Sequence, residues 1–368
     1  MNSVSISVFG DFRAANCDVV RFSDDLRSLL GESDINICNF EAPVKSSGLP
    51  AAKSGPKLDQ SEQSPLFLME NGFNVVLLAN NHMLDHGSTG CQKTIDSFKS
   101  IIAVGAGFPD EAYTVKTSFV KGKKIGYLSL CQHEFGVVES RDEDAIGVAW
   151  TGSLDVQEII QEAKNSLDYL FVFPHAGIER SFVPLPQWRR LYKKYIDWGA
   201  DGVIASHPHT PQGWEYYHDK PILYSLGNFY FDELTGDEYW NKGLMAELII
   251  EKGAINTNIR NIRFDSTGLV TFDDCVERQN HNEYLNRLLN SNEEYNEYID
   301  ILCGKIFEDH KYAILRGLSG TTLRIRKKYA LRLFALMLLN KRDPSAALNR
   351  FQCESHRWAI EYCLKKGY

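Results

Sequence analysis

Apolar residues along this chain fall into short runs that stop at polar, chemistry-bearing residues. Val4 to Phe9 alternates apolar positions with Ser5 and Ser7 and runs into Gly10-Asp11, the period-2 pattern of a strand ending in a turn. Ile35 to Phe40 reads as a second strand, with Glu41 just beyond it and Pro43 after that. Val75 to Leu78 is a third, delivering Asn80, Asn81 and His82, then Asp85. Tyr169 to Phe173 leads into Pro174-His175-Ala176-Gly177 and Glu179, and Gly202 to Ala205 leads into Ser206-His207-Pro208-His209-Thr210. Proline fixes its own φ and biases the residue before it toward extended geometry, so both imidazoles of that turn are expected on one rigid corner. Lys220 to Ser225 is a further strand, and Met245 to Ile250 with Asn258 to Phe264 alternate as strands of a second sheet. Helical spacing fills the gaps, most clearly from Pro186 to Gly199, where Trp188, Leu191, Tyr192, Tyr195 and Ile196 make a core-facing stripe. Strands alternating with helices predict an α/β fold, whose ligands sit at strand ends.

Two other stretches bear on a site. Residues 46–64 are rich in Ser, Gly, Pro and Lys and read as a loop covering the site or touching substrate, its Lys53 and Lys57 read as solvated. A hairpin turning at Lys121-Gly122-Lys123 ends in Cys131, Gln132, His133 and Glu134, of which His133 is the residue to weigh for the site.

Beyond Cys275 helical patterns take over, which sets an expected division into 1–275 and a helical extension, 276–368. Charge there is split: Glu277 to Asp309 carries eight acidic and three basic residues, Lys311 to Arg342 nine basic and no acidic ones. The apolar run Tyr329 to Leu339 is far short of the ~20 residues that span a bilayer, so a helix docked on the core is expected, with a peripheral contact of 311–342 on an anionic membrane as the alternative.

With 368 residues, 43% of them apolar, the chain can bury a large core. A net charge of -8 argues against a general nucleic-acid binder. The first strand begins too early for a secretory leader, and eight cysteines without a C-x-x-C pair fit a reducing compartment; a cytoplasmic location, with or without membrane association, is the expectation.

Asp11, Glu41, Asn81, His175, His207 and His209 together form an oxygen-and-nitrogen ligand set without thiolate, suited to Mn, Fe or Zn and large enough for two divalent ions. Such a pair lowers the pKa of a water held between the ions and clamps both oxygens of a displacement. His82 then serves as the proton donor or transition-state partner, oriented by Asp85. Glu179 reads as a carboxylate that orients a ligating histidine, while its position relative to the ions, like those of His133 and Glu134, stays open.

The ordered motifs G-D (Gly10-Asp11), N-F-E (Asn39 to Glu41), A-N-N-H-x-L-D-x-G (Ala79 to Gly87), P-H-x-G-I-E (Pro174 to Glu179), S-H-P-H-T (Ser206 to Thr210) and Y-S-L-G-N-F (Tyr224 to Phe229) resemble the CapA, or PGA_cap, family of bacterial capsule and poly-γ-glutamate synthesis proteins. That family is similar to calcineurin-like metallophosphoesterases. The resemblance implies a four-layer α/β/β/α sandwich with a dinuclear site. It implies Asp11 and His209 on one ion, Asn81, His175 and His207 on the other, Glu41 bridging, and His82 as the catalytic histidine. Arg13 stands where the general phosphoesterase pattern has a histidine ligand, so a contact from Arg13 to a phosphate oxygen is expected instead. Ala176 replaces the family's usual tryptophan and is expected to widen the pocket. The implied activity is a metal-dependent hydrolase acting on a phosphorylated or polyanionic substrate. The alternatives are a γ-glutamyl amide hydrolase and a non-catalytic assembly subunit of a capsule or poly-γ-glutamate synthase.

Overall fold

Val4–Arg13 is the strand on which the larger of two sheets is built, hydrogen-bonded in parallel to Ile35–Phe40 and antiparallel to Lys242–Glu251. The structure, a computed structural model, describes residues 3–53, 55–233, 235–318 and 352–367. Val75–Leu77 and Ile102–Val104 extend this nine-stranded sheet in parallel on one side; Ala254–Phe264, Leu269–Phe272 and Arg21–Phe22 complete the other. The second sheet has six strands in the order Trp214–Tyr217, Lys220–Leu223, Gly202–Ile204, Tyr169–His175, Lys123–Cys131 and Lys116–Val120, parallel among the inner four.

Strand periodicity explains how the layers stack. Ile35 and Ile37 share a buried cluster with Ile6, Val8, Tyr127 and Phe171, from both sheets, so this core lies between them. Cys38 and Phe40, of opposite parity on the same strand, pack with Leu26, Leu68 and Cys91 of the helices Asp24–Glu32, Ser64–Glu70 and Gly87–Ser97. On the far side Leu170 and Val172 meet Ile160 of Asp155–Lys164 and Trp188 and Tyr195 of Pro186–Trp198. The result is the expected α/β/β/α sandwich.

The helices Val276–Asn290, Asn292–Leu318 and Glu354–Lys366 follow the last strand, and Leu285, Ile299, Cys303, Ala359 and Cys363 join the same outer cluster as Trp188. Of the basic stretch 311–342, only the helix backbone up to Leu318 is described; its remainder, with Tyr329 to Leu339, lies outside the described residues. No helix among the described residues is long and apolar enough to cross a membrane.

The first strand does not stop in the expected turn at Gly10-Asp11. Its register slips between Phe9 and Asp11, and Asn228–Phe231 then adds in parallel, with Asp11 opposite Asn228. Two glycines permit this crossing: a β-carbon on residue 10 would sit 1.8 Å from the Gly227 carbonyl oxygen, the acceptor for the Asp11 N–H at 3.0 Å. The G-D and G-N dipeptides thus meet back to back.

Candidate metal centre

Parallel pairing puts the carboxyl ends of the central strands at a common edge, and the two sheets bring those edges together. There Asp11, Glu41, Asn81, His175, His207 and His209 converge, all buried. His175 Nε2 lies 3.1 Å from Asn81 Oδ1 and 3.1 Å from His207 Nδ1. His209 Nδ1 is 3.4 Å from Asp11 Oδ2. Glu41 Oε1 stands between the two groups, 3.6 Å from His209 Nε2 and 3.9 Å from His175 Nε2. Atoms that share an ion at ~2.1 Å stand roughly 3.0 to 3.4 Å from one another, so the spacing around His175 is that of donors to a common ion. Asp11, Glu41 and His209 likewise offer ligand atoms all within 4.8 Å of one another.

Glu41 is the test of fit. Both its carboxylate oxygens are buried and have no hydrogen-bond partner among the described residues. An unpaired buried carboxylate is costly, and a cation on either side would satisfy both oxygens. In the protein alone, burial and the nearby Asp11 push the Glu41 carboxyl well above the usual range. Burial has the opposite effect on the imidazoles, moving His175 well below its ordinary value and His207 down to about 3. Both rings are therefore neutral near pH 7, the form that ligates metals.

Neighbours hold these side chains. The His209 Nδ1–H donates to Asn228 Oδ1 at 2.9 Å, turning Nε2 toward Glu41. Asn39 Nδ2 donates to Asp11 Oδ1 at 2.8 Å, and the His207 N–H to Asp11 Oδ2 at 3.3 Å. The H-P-H corner departs from the extended geometry expected before proline: His207 has φ 102° and His209 φ 58°. Residues with side chains take such values only where surrounding contacts impose them, and the bond to Asp11 is one such contact.

His82 is beside this cluster, its Nδ1–H donating to Asp85 Oδ2 at 2.7 Å. Burial lowers its pKa, although Asp85 opposes the shift. Lys53 is not the solvated loop lysine expected. It is largely buried, pairs with Asp85 and donates to the Asn81 carbonyl at 3.1 Å, because Asp85, fully enclosed, needs a counter-charge. Arg13 does not reach the cavity. Its guanidinium pairs with Asp232 and donates to the Asp59 carbonyl at 3.0 Å, so those acceptors hold it away from a phosphate oxygen. Ala176, expected to widen the pocket, is buried in the outer core cluster instead, since it follows the strand Tyr169–His175 on the same side as Leu170 and Val172.

A cavity of about 570 Å³ opens above Asn81, His82, His207 and His209. Glu134 and Glu179 line it, whereas His133 turns aside to Glu139 and to the edge of Trp150. The strand end that carries His133 reaches the cluster through its neighbour: the Gln132 amide nitrogen donates to His207 Nε2 at 3.0 Å. Sequence reasoning passed over Gln132, Asn39 and Asn228. Position was the available signal, since Gln132 directly follows the strand Lys123–Cys131 and Asn39 and Asn228 lie in the N-F-E and Y-S-L-G-N-F motifs.

Residues 8–233 match the family described as bacterial capsule synthesis protein PGA_cap. Capsule biosynthesis protein CapA of Bacillus anthracis is 30% identical over 214 residues, covering 55% of this chain and 52% of that protein. PGA biosynthesis protein CapA of Bacillus subtilis is 30% identical over 208 residues, covering 55% and 54%. Among solved structures, a calcineurin-like phosphoesterase of Bacillus subtilis aligns with 70% of this chain and 90% of its own at 13% identity and a TM-score of 0.37. The chain spans about half the length of these curated relatives.

Proposed function

Because the chain belongs to the bacterial capsule synthesis protein PGA_cap family, we propose that it is a metal-dependent hydrolase of a phosphorylated or polyanionic substrate connected with capsule or poly-γ-glutamate synthesis. The observation that carries this reading is Glu41, whose two unpartnered oxygens lie between two sets of donors beneath a cavity that His82 also lines. Two divalent ions of the Mn, Fe or Zn type would be held by Asp11 and His209 on one side, by Asn81, His175 and His207 on the other, and by Glu41 between them. Bound there, they supply Lewis-acid polarisation of the scissile group and activation of a water. The chain's own part is to hold the neutral imidazoles in place and to manage a proton. His82, locked to Asp85 through Nδ1, has Nε2 left to exchange that proton with the attacking or departing oxygen. Lys53 beside the ring offsets the charge of Asp85. A cytoplasmic site of action belongs to the same proposal.

Metal content per chain after purification without chelator, paired with hydrolysis of a phosphodiester, a phosphomonoester and a γ-glutamyl amide in added Mn, tests it. Near two ions, with turnover abolished in His207→Ala, is the expected result, and the substrate turned over assigns the bond class. One ion or none, with no turnover on any substrate, selects the non-catalytic assembly role. The occupation of Arg13 by Asp232, at the position of a missing histidine ligand, favours that second reading.

A further inference from the structure

Of the two ions, the one assigned to Asp11 and His209 has the fewer donors, because Arg13 stands at the position of a further ligand and is drawn aside by Asp232. We propose that Trp240, outside the residues that match the family, is the positioning residue for this ion, fixing His209 through both its carbonyl and its ring. The inference rests on reading His209 as a metal ligand.

The carbonyl acts through Asn228. Trp240 O accepts the Asn228 Nδ2–H at 2.8 Å, which turns Asn228 Oδ1 to the His209 Nδ1–H at 2.9 Å. With the ring proton committed to Nδ1, the lone pair is on Nε2, the atom 3.6 Å from Glu41 Oε1. Both bonds therefore select the tautomer that ligation through Nε2 needs. The ring acts directly. Its centroid lies 4.8 Å from that of His209 at 39°, and Phe231 meets the imidazole at 5.3 Å and 80°. Phe231 and Trp240 also contact each other edge to face at 5.1 Å, so the imidazole sits in an aromatic corner.

His209 needs such a hold. At φ 58° its backbone is in the left-handed region, and its ring direction is imposed by what the side chain touches. Trp240 is itself pinned: the Arg180 guanidinium carbon lies over its ring, 5.7 Å from the centroid, and Arg180 Nε is 3.6 Å from Asp237. The Trp240 N–H donates to the Asp237 carbonyl at 3.3 Å, which closes the turn that presents the indole. The indole keeps this place at a cost, since its Nε1–H is buried without a hydrogen-bond partner among the described residues. Packing on the imidazole, rather than a bond to the indole nitrogen, sets the position of the ring.

The experiment is calorimetric titration of Mn into the full chain, with thermal midpoints measured in EDTA alongside. Trp240→Leu removes the ring and keeps the carbonyl. It is expected to weaken one bound ion by about tenfold, the low end for partners of a ligating histidine, and to leave the other within about twofold of the parent. Trp240→Phe, which keeps an aromatic ring in the corner, should show a smaller loss on the same ion. Isotope labelling of histidine nitrogen in the metal-free chain adds a readout that involves no ion. The His209 ring, identified by its absence in His209→Gln, should be the Nδ1–H tautomer in the parent and a mixture of tautomers in Trp240→Leu. Lower thermal midpoints with both ions bound at parent affinity and the tautomer kept would make Trp240 a packing residue and overturn the inference, as would equal weakening of both ions. A parent chain that takes up no Mn overturns the ligand reading and this inference with it. Turnover enters none of these readouts, so a chain that binds Mn and hydrolyses nothing defeats only the proposed activity.

Discussion

At the scale of single residues, His82 and Asp85 carry the sharpest expectation. His82 contacts Asp85 and Lys53 but none of the six convergent donors through its ring, so His82→Asn should keep its bound metal and lose turnover by about 10²- to 10⁴-fold. Metal analysis and initial rates on one preparation decide it, since loss of an ion would make His82 a ligand. The convergent residues were legible because each follows an apolar run, and a run that ends in Asp, Glu, Asn or His at a strand tip points its chemistry to one edge. Lys53 was not legible: nothing local distinguishes a lysine that buries itself on Asp85 from one in water. The pairing of Arg13 was not legible for the same reason, its partner Asp232 being more than two hundred positions away.

At the scale of elements, Arg189 ties three together. It pairs with Glu215 on Trp214–Tyr217 from the helix Pro186–Trp198, and its Nη1–H donates to the Leu289 carbonyl of Val276–Asn290 at 3.0 Å. Burial pushes the Glu215 carboxyl up, but bonds from Arg189 and Tyr224 and the charge of Arg189 bring it down to about 2. That lies below the unfolded value of about 4.3, so the stabilisation is complete above that pH and is lost as pH falls toward 2. Glu215→Gln should therefore cost about 2–3 kcal/mol at pH 7, with the gap to the parent narrowing below pH 4; urea midpoints at pH 7 and 3.5 measure it. The strands and helices of the sandwich could be read from period and spacing, because burial on one face imposes them locally. The extension of the first strand through Arg13 could not, since it depends on Gly10 meeting Gly227.

At the scale of the whole molecule, ions bound only by the folded chain stabilise it by mass action, by about 2.7 kcal/mol at one hundred times the dissociation constant. Excess Mn should raise the thermal midpoint by several degrees, EDTA should reverse the gain, and His207→Ala should show little of it; differential scanning fluorimetry reads all three. Unchanged midpoints with Mn and EDTA would mean that Glu41 is satisfied by a proton instead. The back-to-back glycines also set a timetable for assembly. Asp11 has its partner at Asn228, and the strand that carries it is flanked by Lys242–Glu251. At ~5–20 residues per second, roughly 10 to 45 s of translation separate the two ends of that pairing. Through that interval Val4, Ile6 and Val8 leave the ribosome without the neighbour that covers one edge of their strand. The edge of that nascent strand therefore waits for chain made more than two hundred residues later, and Asp11 meets Asn228 only once that chain has emerged.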